Sequence, residues 1–318
     1  MSIFHKVFAI ALTAAALTAC DDASAVDEFA GDVEFRPWDG PRWNNSYLGA
    51  HRLDHSDTDF TWYDGNKLDA VYLKHPDYGW VKLDEVWGEE GELKGRTNKP
   101  LIEFSGAQFL HSLWYMQLED PVIGKIPFTM RIDKYKFQDD LHFYTIVHQP
   151  TGGGNKEWAT NCDPDEKGSI DTIILEDTEI DYSTGDFKER KHTLYWACTA
   201  GAAAKGTLWG FNQWDYGREI AEVGARVVRA DICADGGSFT KTGTELQLED
   251  QLGLNVFPNP GAKTEAIWPK EGPALCFDFP RNPAFKPEDV LCNGVAPPSC
   301  NGYSFDKWED GLVHTKLP

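Results

Sequence analysis

The chain has 318 residues and carries 30 Lys or Arg against 51 Asp or Glu, which gives a formal charge of −21. A field of that sign repels nucleic acid and anionic lipid heads, so neither is expected as a partner held by charge. The length suffices for one large domain or two ordinary ones with a sizeable core.

At the N-terminus, Met1 to Lys6 is a short segment with one cation, and Val7 to Ala16 is an apolar run too short to span a bilayer as a helix. The residues that close it, Leu17-Thr18-Ala19-Cys20, resemble a bacterial lipoprotein signal. The resemblance implies a leader over 1–19 and lipidation of Cys20, with acyl chains such as palmitate adding about 0.8 kcal/mol per buried methylene to membrane binding. It implies a protein of the bacterial cell envelope, lipid-anchored and facing the periplasm or the cell surface. Residues 20–35 are acidic, rich in small residues and without apolar periodicity, as suits a flexible tether.

From residue 36 to 157 short aromatic segments alternate with Asp-Gly, Asp-Tyr-Gly and Gly-Glu-Glu-Gly turns, the pattern of strands and hairpins. Strands are expected at Ala70 to Leu73, Trp80 to Leu83, Ile126 to Phe137, Leu141 to His148, Thr172 to Asp181 and His192 to Cys198. In Phe128-Thr129-Met130-Arg131-Ile132-Asp133 apolar and polar residues alternate, so one sheet face is expected to be buried. Gly152-Gly153-Gly154 reads as a hairpin tip. Ile220, Val223, Gly224, Val227, Val228 and Ile232 recur at spacings of three and four, which predicts one helix near 217–232 with Gly236-Gly237 beyond its end. The fold class is therefore α+β, β-rich, with mostly antiparallel strands.

Seven cysteines occur. With Cys20 lipidated, six remain, Cys162, Cys198, Cys233, Cys276, Cys292 and Cys300, and an even remainder in an exported chain argues for disulfides stapling the C-terminal half. Each bridge is worth about 2–4 kcal/mol. Six cysteines allow 15 pairings, which spacing alone does not resolve. The absence of any CxxC argues against zinc or redox sites, and no metal or cofactor is expected.

Candidate chemistry gathers around Arg229, Asp231 and Asp235. Two carboxylates four residues apart can hold a metal or divide acid and base roles, with His192 as a further group. The plainer reading is a buried Arg229–Asp231 ion pair, with Asp235 shaping the turn. Asp163 to Gly168 looks like the start of a calcium loop, but Lys167 at position five argues for an acidic turn. His51 and His55 have a zinc-like spacing in a segment that promises no helix, and His142 and His148 are explained as exposed strand positions. No Gly-x-Ser-x-Gly, Ser-x-x-Lys, Rossmann or P-loop pattern appears. Trp209 and Trp214, expected in a loop between strand and helix, are candidate stacking platforms for sugar rings.

The stretch from Trp196 to Ala202, then Leu208-Trp209-Gly210-Phe211, then Arg226-Val227-Val228-Arg229-Ala230-Asp231-Ile232-Cys233 resembles the ADYC domain, with Ile232 at the family's Tyr position. Similarity continues through Asp235-Gly236, Thr240, Gly243-Thr244 and Glu265-Ala266-Ile267-Trp268 to Cys276. It is good from Trp158, reaches back more weakly to Gly106, and assigns 158–318 to an ADYC-like domain. The resemblance implies an exported protein of no established activity. Where the family tends to carry two cysteines, this chain has Gly206 and Gly224, as if a bridged pair were lost together. The pairing then expected is Cys162 with Cys198, Cys233 with Cys276, and Cys292 with Cys300. The function expected is non-catalytic, a binding or structural module with an envelope glycan or protein as partner; the alternative is a hydrolase or metal-dependent enzyme using Asp231 and Asp235.

Overall fold

The computed structural model describes residues 42–43, 46–49, 53–120, 122, 124–150, 157–256, 261–301, 303 and 311–318. The expected leader, Cys20, the tether, His51 and the Gly152–Gly154 tip lie outside them. The body, Phe35–Pro318, is one compact unit.

Its elements begin with β1 (Arg42–Trp43), β2 (His55–Asp57), β3 (Trp62–Tyr63), β4 (Asn66–His75), β5 (Gly79–Lys82), β6 (Glu85–Glu89), β7 (Glu92–Asn98) and β8 (Leu101–Ser105). Next come β9 (Leu113–Asp120), β10 (Gly124–Gln138), β11 (Leu141–Pro150), β12 (Ala159–Thr160), β13 (Asp171–Ile180) and β14 (Phe187–Cys198). After them stand α1 (Ala202–Leu208), α2 (Gln213–Tyr216), α3 (Arg218–Arg229), β15 (Glu245–Asp250), β16 (Lys263–Pro269), β17 (Cys276–Phe277) and β18 (Gly311–Leu317). The six expected strands are present, and all the pairings are antiparallel.

Ten strands form one sheet along the path β2-β14-β13-β11-β10-β9-β4-β3, with β12 beside β11 and β5 beside β4. The expected boundary at 158 therefore separates no two sheets, because β13 and β14 continue the sheet begun by β4, β9, β10 and β11. A three-stranded sheet, β6-β7-β8, and a five-stranded sheet, β1-β15-β18-β16-β17, complete the body.

The large sheet is covered unequally. On one face Leu68, Val71, Trp114, Met116, Met130, Ile132, Ile146, Ile174 and Trp196 pack against Leu83, Val86, Leu93, Phe104 and Phe109, brought by the three-stranded sheet and the turns flanking it. Trp114 and Trp196 meet edge to face at 5.2 Å, and each indole N–H donates to a serine hydroxyl, Ser112 and Ser56. Among the described residues the other face is covered toward β13 and β14, where Phe143, Ile173, Leu175, Tyr195 and Ala197 meet α1, α3 and the five-stranded sheet. Local sequence tracks this cover. Consecutive apolar residues in β13 and β14 divide between both cores, Ile173 and Leu175 one way and Ile174 the other. In β10 only alternate residues, Phe128, Met130 and Ile132, enter a core.

The helical part is richer than the single helix expected. Ala202-Ala203-Ala204 starts a buried seven-residue helix too short for an amphipathic period to announce it, and α2 is one turn capped by Asn212, whose side chain accepts the Asp215 N–H. α3 stops at Arg229, before the expected Ile232, because Ala230 turns left-handed at φ 53°. The last carbonyls of α3 are nevertheless satisfied: Asp231 N–H donates to Arg226 O, Arg281 Nη1 to Val228 O, and the Ser238 hydroxyl to Arg229 O. Gly206 of α1 and Gly224 of α3 touch. A Cβ on Gly224 would stand 3.0 Å from the Gly206 Cα and 2.8 Å from the Phe211 Cβ. The two positions singled out as departing together from the family are thus neighbours in space.

Three disulfides form: Cys162–Cys198, Cys233–Cys292 and Cys276–Cys300. The first is as expected; the pairings Cys233 with Cys276 and Cys292 with Cys300 are corrected. Cys276 is a strand residue of β17 facing Cys300 at a Cα separation of 4.9 Å, while Cys233, just past α3, meets Cys292 at 5.0 Å. Both bridges tie the loop-rich segment after β17 back to earlier elements.

Candidate functional site

The residues after α3 build a closed knot. Asp231 is 1% exposed, and its carboxylate accepts the N–H of Asp235 at 3.2 Å and of Gly236 at 3.0 Å. Burial pushes its pKa up to about 6, against the pull of those hydrogen bonds and of Arg229. Arg229 donates through Nη2 to the Gly236 carbonyl at 2.5 Å and through Nε to the Ser46 carbonyl at 3.3 Å. Gly185, in the β13–β14 turn, closes over both, since a Cβ there would lie 3.3 Å from Arg229 Nη1 and 3.5 Å from Asp231 Oδ2. Arg229 and Asp231 are therefore held by backbone groups rather than by a direct ion pair. Asp235 is exposed and turns its Oδ1 to the Gly237 N–H. His192 stands elsewhere, exposed, with Asp59 at 3.5 Å and its own N–H on Asp177. The structure does not join it to Asp231.

A second buried charge centre lies beside this knot. Arg281 grips Glu265 with Nε–Oε1 at 2.5 Å and Nη2–Oε2 at 2.6 Å, both side chains being fully buried. Its third donor reaches the Val228 carbonyl at 3.1 Å, so the pair joins β16 to the end of α3. Sequence reasoning had noted Glu265 without its partner, which lies sixteen residues away across a loop.

Other candidates resolve into structure. Trp209 is buried in the helix-side core, and Trp214 is half-buried against Gly91, so the two do not make an exposed platform. Both ring nitrogens of His55 are engaged, by Asp54 at 2.7 Å and Asn66 at 3.0 Å. His148 is buried beside Phe128 rather than exposed, and His142 pairs with the Tyr135 hydroxyl at 2.9 Å. In the acidic turn Asp165 Oδ1 accepts the N–H groups of Lys167 and Ser169, as a turn carboxylate does. Among the described residues no three His, Cys, Asp or Glu side chains are grouped to hold a metal.

An open concave surface lies on the half of the large sheet that no element of the described residues covers. Ala70, Tyr72, Trp80, Leu113 and Tyr115 line an open groove of about 350 Å³, near the small end of ligand sites. Register explains the grouping. Tyr72 lies opposite Leu113 on one side and Lys82 on the other, Ala70 opposite Tyr115, and Trp80 opposite Lys74, so all these side chains share one face. Tyr72 and Tyr115 meet at 5.6 Å and 89°, a fixed corner, while Trp80 is 52% exposed. Next to Leu113 on the same face, Arg131 lies over the Trp158 ring at 4.4 Å and pairs with Asp133. Beyond Tyr115, Lys125 covers the ring of Trp62 at 4.3 Å. Sequence reading missed this face. Its signal was present as aromatic residues at the solvent-side positions of alternating strands, Tyr72 between Val71 and Leu73 and Tyr115 between Trp114 and Met116.

Residues 106–283 match the model of the ADYC domain. Nothing among curated proteins or solved structures matches the chain. The match takes in the knot, Glu265 and Arg281, four of the six bridging cysteines (Cys162, Cys198, Cys233 and Cys276), and only the Leu113–Tyr115 side of the groove; because it spans more than half of the sequence, the chain belongs to the ADYC domain family.

Proposed function

We propose that this protein is a non-catalytic binding module of the bacterial cell envelope, lipid-anchored through Cys20, whose aromatic sheet face takes a sugar ring. The observation that carries the reading is the groove of about 350 Å³ lined by Tyr72, Trp80, Leu113 and Tyr115 on a sheet face that no element of the described residues covers. An exposed Trp beside a rigid pair of Tyr rings offers flat apolar area for the C–H face of a pyranose and two hydroxyls for its polar edge. The three disulfides support an oxidising compartment. The most buried of the ionisable residues that chemistry would recruit, Asp231, is spent on backbone groups, which favours binding over hydrolysis.

The test is retention on immobilised envelope glycans. The wild type is expected to be retained, and Trp80→Ala to lose most of that retention without a change in melting temperature, because the side chain is half in solvent. Failure of the wild type to bind any glycan tested overturns the reading.

A further inference from the structure

The charges beside the groove say which sugars it takes. Lys74 and Lys82 are exposed, share the face of Tyr72 and Trp80 by register, and form no ion pair among the described residues. Elsewhere in the sheet Lys67 pairs with Asp69, Arg131 with Asp133, Lys136 with Asp171, Lys188 with Asp181 and Arg190 with Asp57, so these cations are already matched by carboxylates, whereas Lys74 and Lys82 stand beside the aromatic groove with their charge uncompensated by an ion pair among the described residues. Two unmatched ammonium groups flanking an aromatic floor repel a cationic ligand, which aromatic faces would otherwise attract. They complement an anion. Lys125, already seated over Trp62, blocks a cation at the other end of the strip as well.

The floor is also longer than a single ring. From Leu113 to Gln117 along β9 is about 13 Å at ~3.3 Å per residue, and Trp80 extends it past the sheet edge. We infer that this face selects an acidic glycan, a chain of pyranose rings bearing carboxylates, with Lys74 and Lys82 as its anion-binding pair. The inference rests on the reading of the aromatic face as the binding surface, and adds the ligand's charge to it.

Binding of the full-length chain is measured against two acidic glycans, peptidoglycan sacculi freed of protein by protease digestion and polygalacturonate, each in native form and with its carboxylates esterified. The inference expects at least tenfold weaker binding to the esterified form of the glycan that binds, and a native-form affinity that falls as salt rises. It expects the double variant Lys74→Glu/Lys82→Glu to weaken native-form binding tenfold or more while leaving the esterified form unchanged, and Trp80→Ala to weaken both. Preference for sacculi, for polygalacturonate or for both identifies the source and supports the inference in each case. Equal binding of native and esterified forms overturns it and leaves the aromatic reading standing. Binding to neither form of either glycan overturns both, and retention only by sacculi that still carry protein assigns the face to a protein and overturns the inference.

Discussion

Replacing Arg281 by Met tests whether the Glu265–Arg281 pair is a main support of the helix-side core. Both side chains are fully buried, and the guanidinium makes two charge-assisted bonds to Glu265 and one to the Val228 carbonyl. The variant leaves a carboxylate buried without a partner, which costs about 3–5 kcal/mol, and strips the Val228 carbonyl for about 1 kcal/mol more. At ~2–4 °C per kcal/mol for a domain of this size, the melting temperature falls by roughly 10–20 °C. Such a loss is comparable with the whole stability of an ordinary domain, so the variant is measured by thermal and urea denaturation with disulfides intact. The control is Glu265→Leu/Arg281→Met, which removes both charges and is expected to recover most of the loss. If Arg281→Met costs less than about 1 kcal/mol, or if the double variant loses the sum of the single ones, the pair is not the support described.

Two further outcomes follow from local geometry. Gly224→Ala puts a Cβ 2.8 Å from Phe211 Cβ and 3.0 Å from Gly206 Cα. Despite the better helix propensity of Ala, it is expected to destabilise by about 1–3 kcal/mol in urea, and a stabilised variant would refute the close helix contact. Asp231, raised by burial to about 6 from 3.8, binds its proton more tightly in the folded protein than in the unfolded chain. Its contribution to stability is full below pH ~4 and is lost as pH rises through ~6, so Asp231→Asn flattens the stability profile across that window. Parallel wild-type and variant profiles between pH 4 and 6.5 would show that the group titrates normally.

The strands were legible because their residues alternate, or run apolar, according to how many faces are covered. Phe128 to Ile132 shows the first pattern, and the runs at Ile173 and Tyr195 the second. The helix face was legible from Ile220, Val223 and Val227. Partnerships across long loops were not. Nothing near Cys233 distinguishes Cys276 from Cys292, and nothing near Glu265 points to Arg281, since such contacts depend on how sheets stack. The groove failed to appear for the same reason. Trp209 sits in a segment that reads as a loop yet faces a core, whereas Trp80 sits in a strand whose outer face none of the described helices reaches. Which half of a sheet stays bare is decided by elements more than a hundred residues further along.

The placement of β18 governs the order in which the body can be assembled. It lies between β15 and β16, pairing antiparallel with each, although both precede it in the chain. Until β18 arrives, β15 and β16 each present an unpaired edge to the slot it will fill, and neither can pair with the other in the native arrangement. Therefore a chain in which β15 and β16 have formed ahead of β18 carries two adhesive borders, together with Leu248, Ala266 and Trp268 from a core not yet closed. Unpaired strand edges of this kind are templates for pairing with another chain. The step that closes both borders is the insertion of one seven-residue strand.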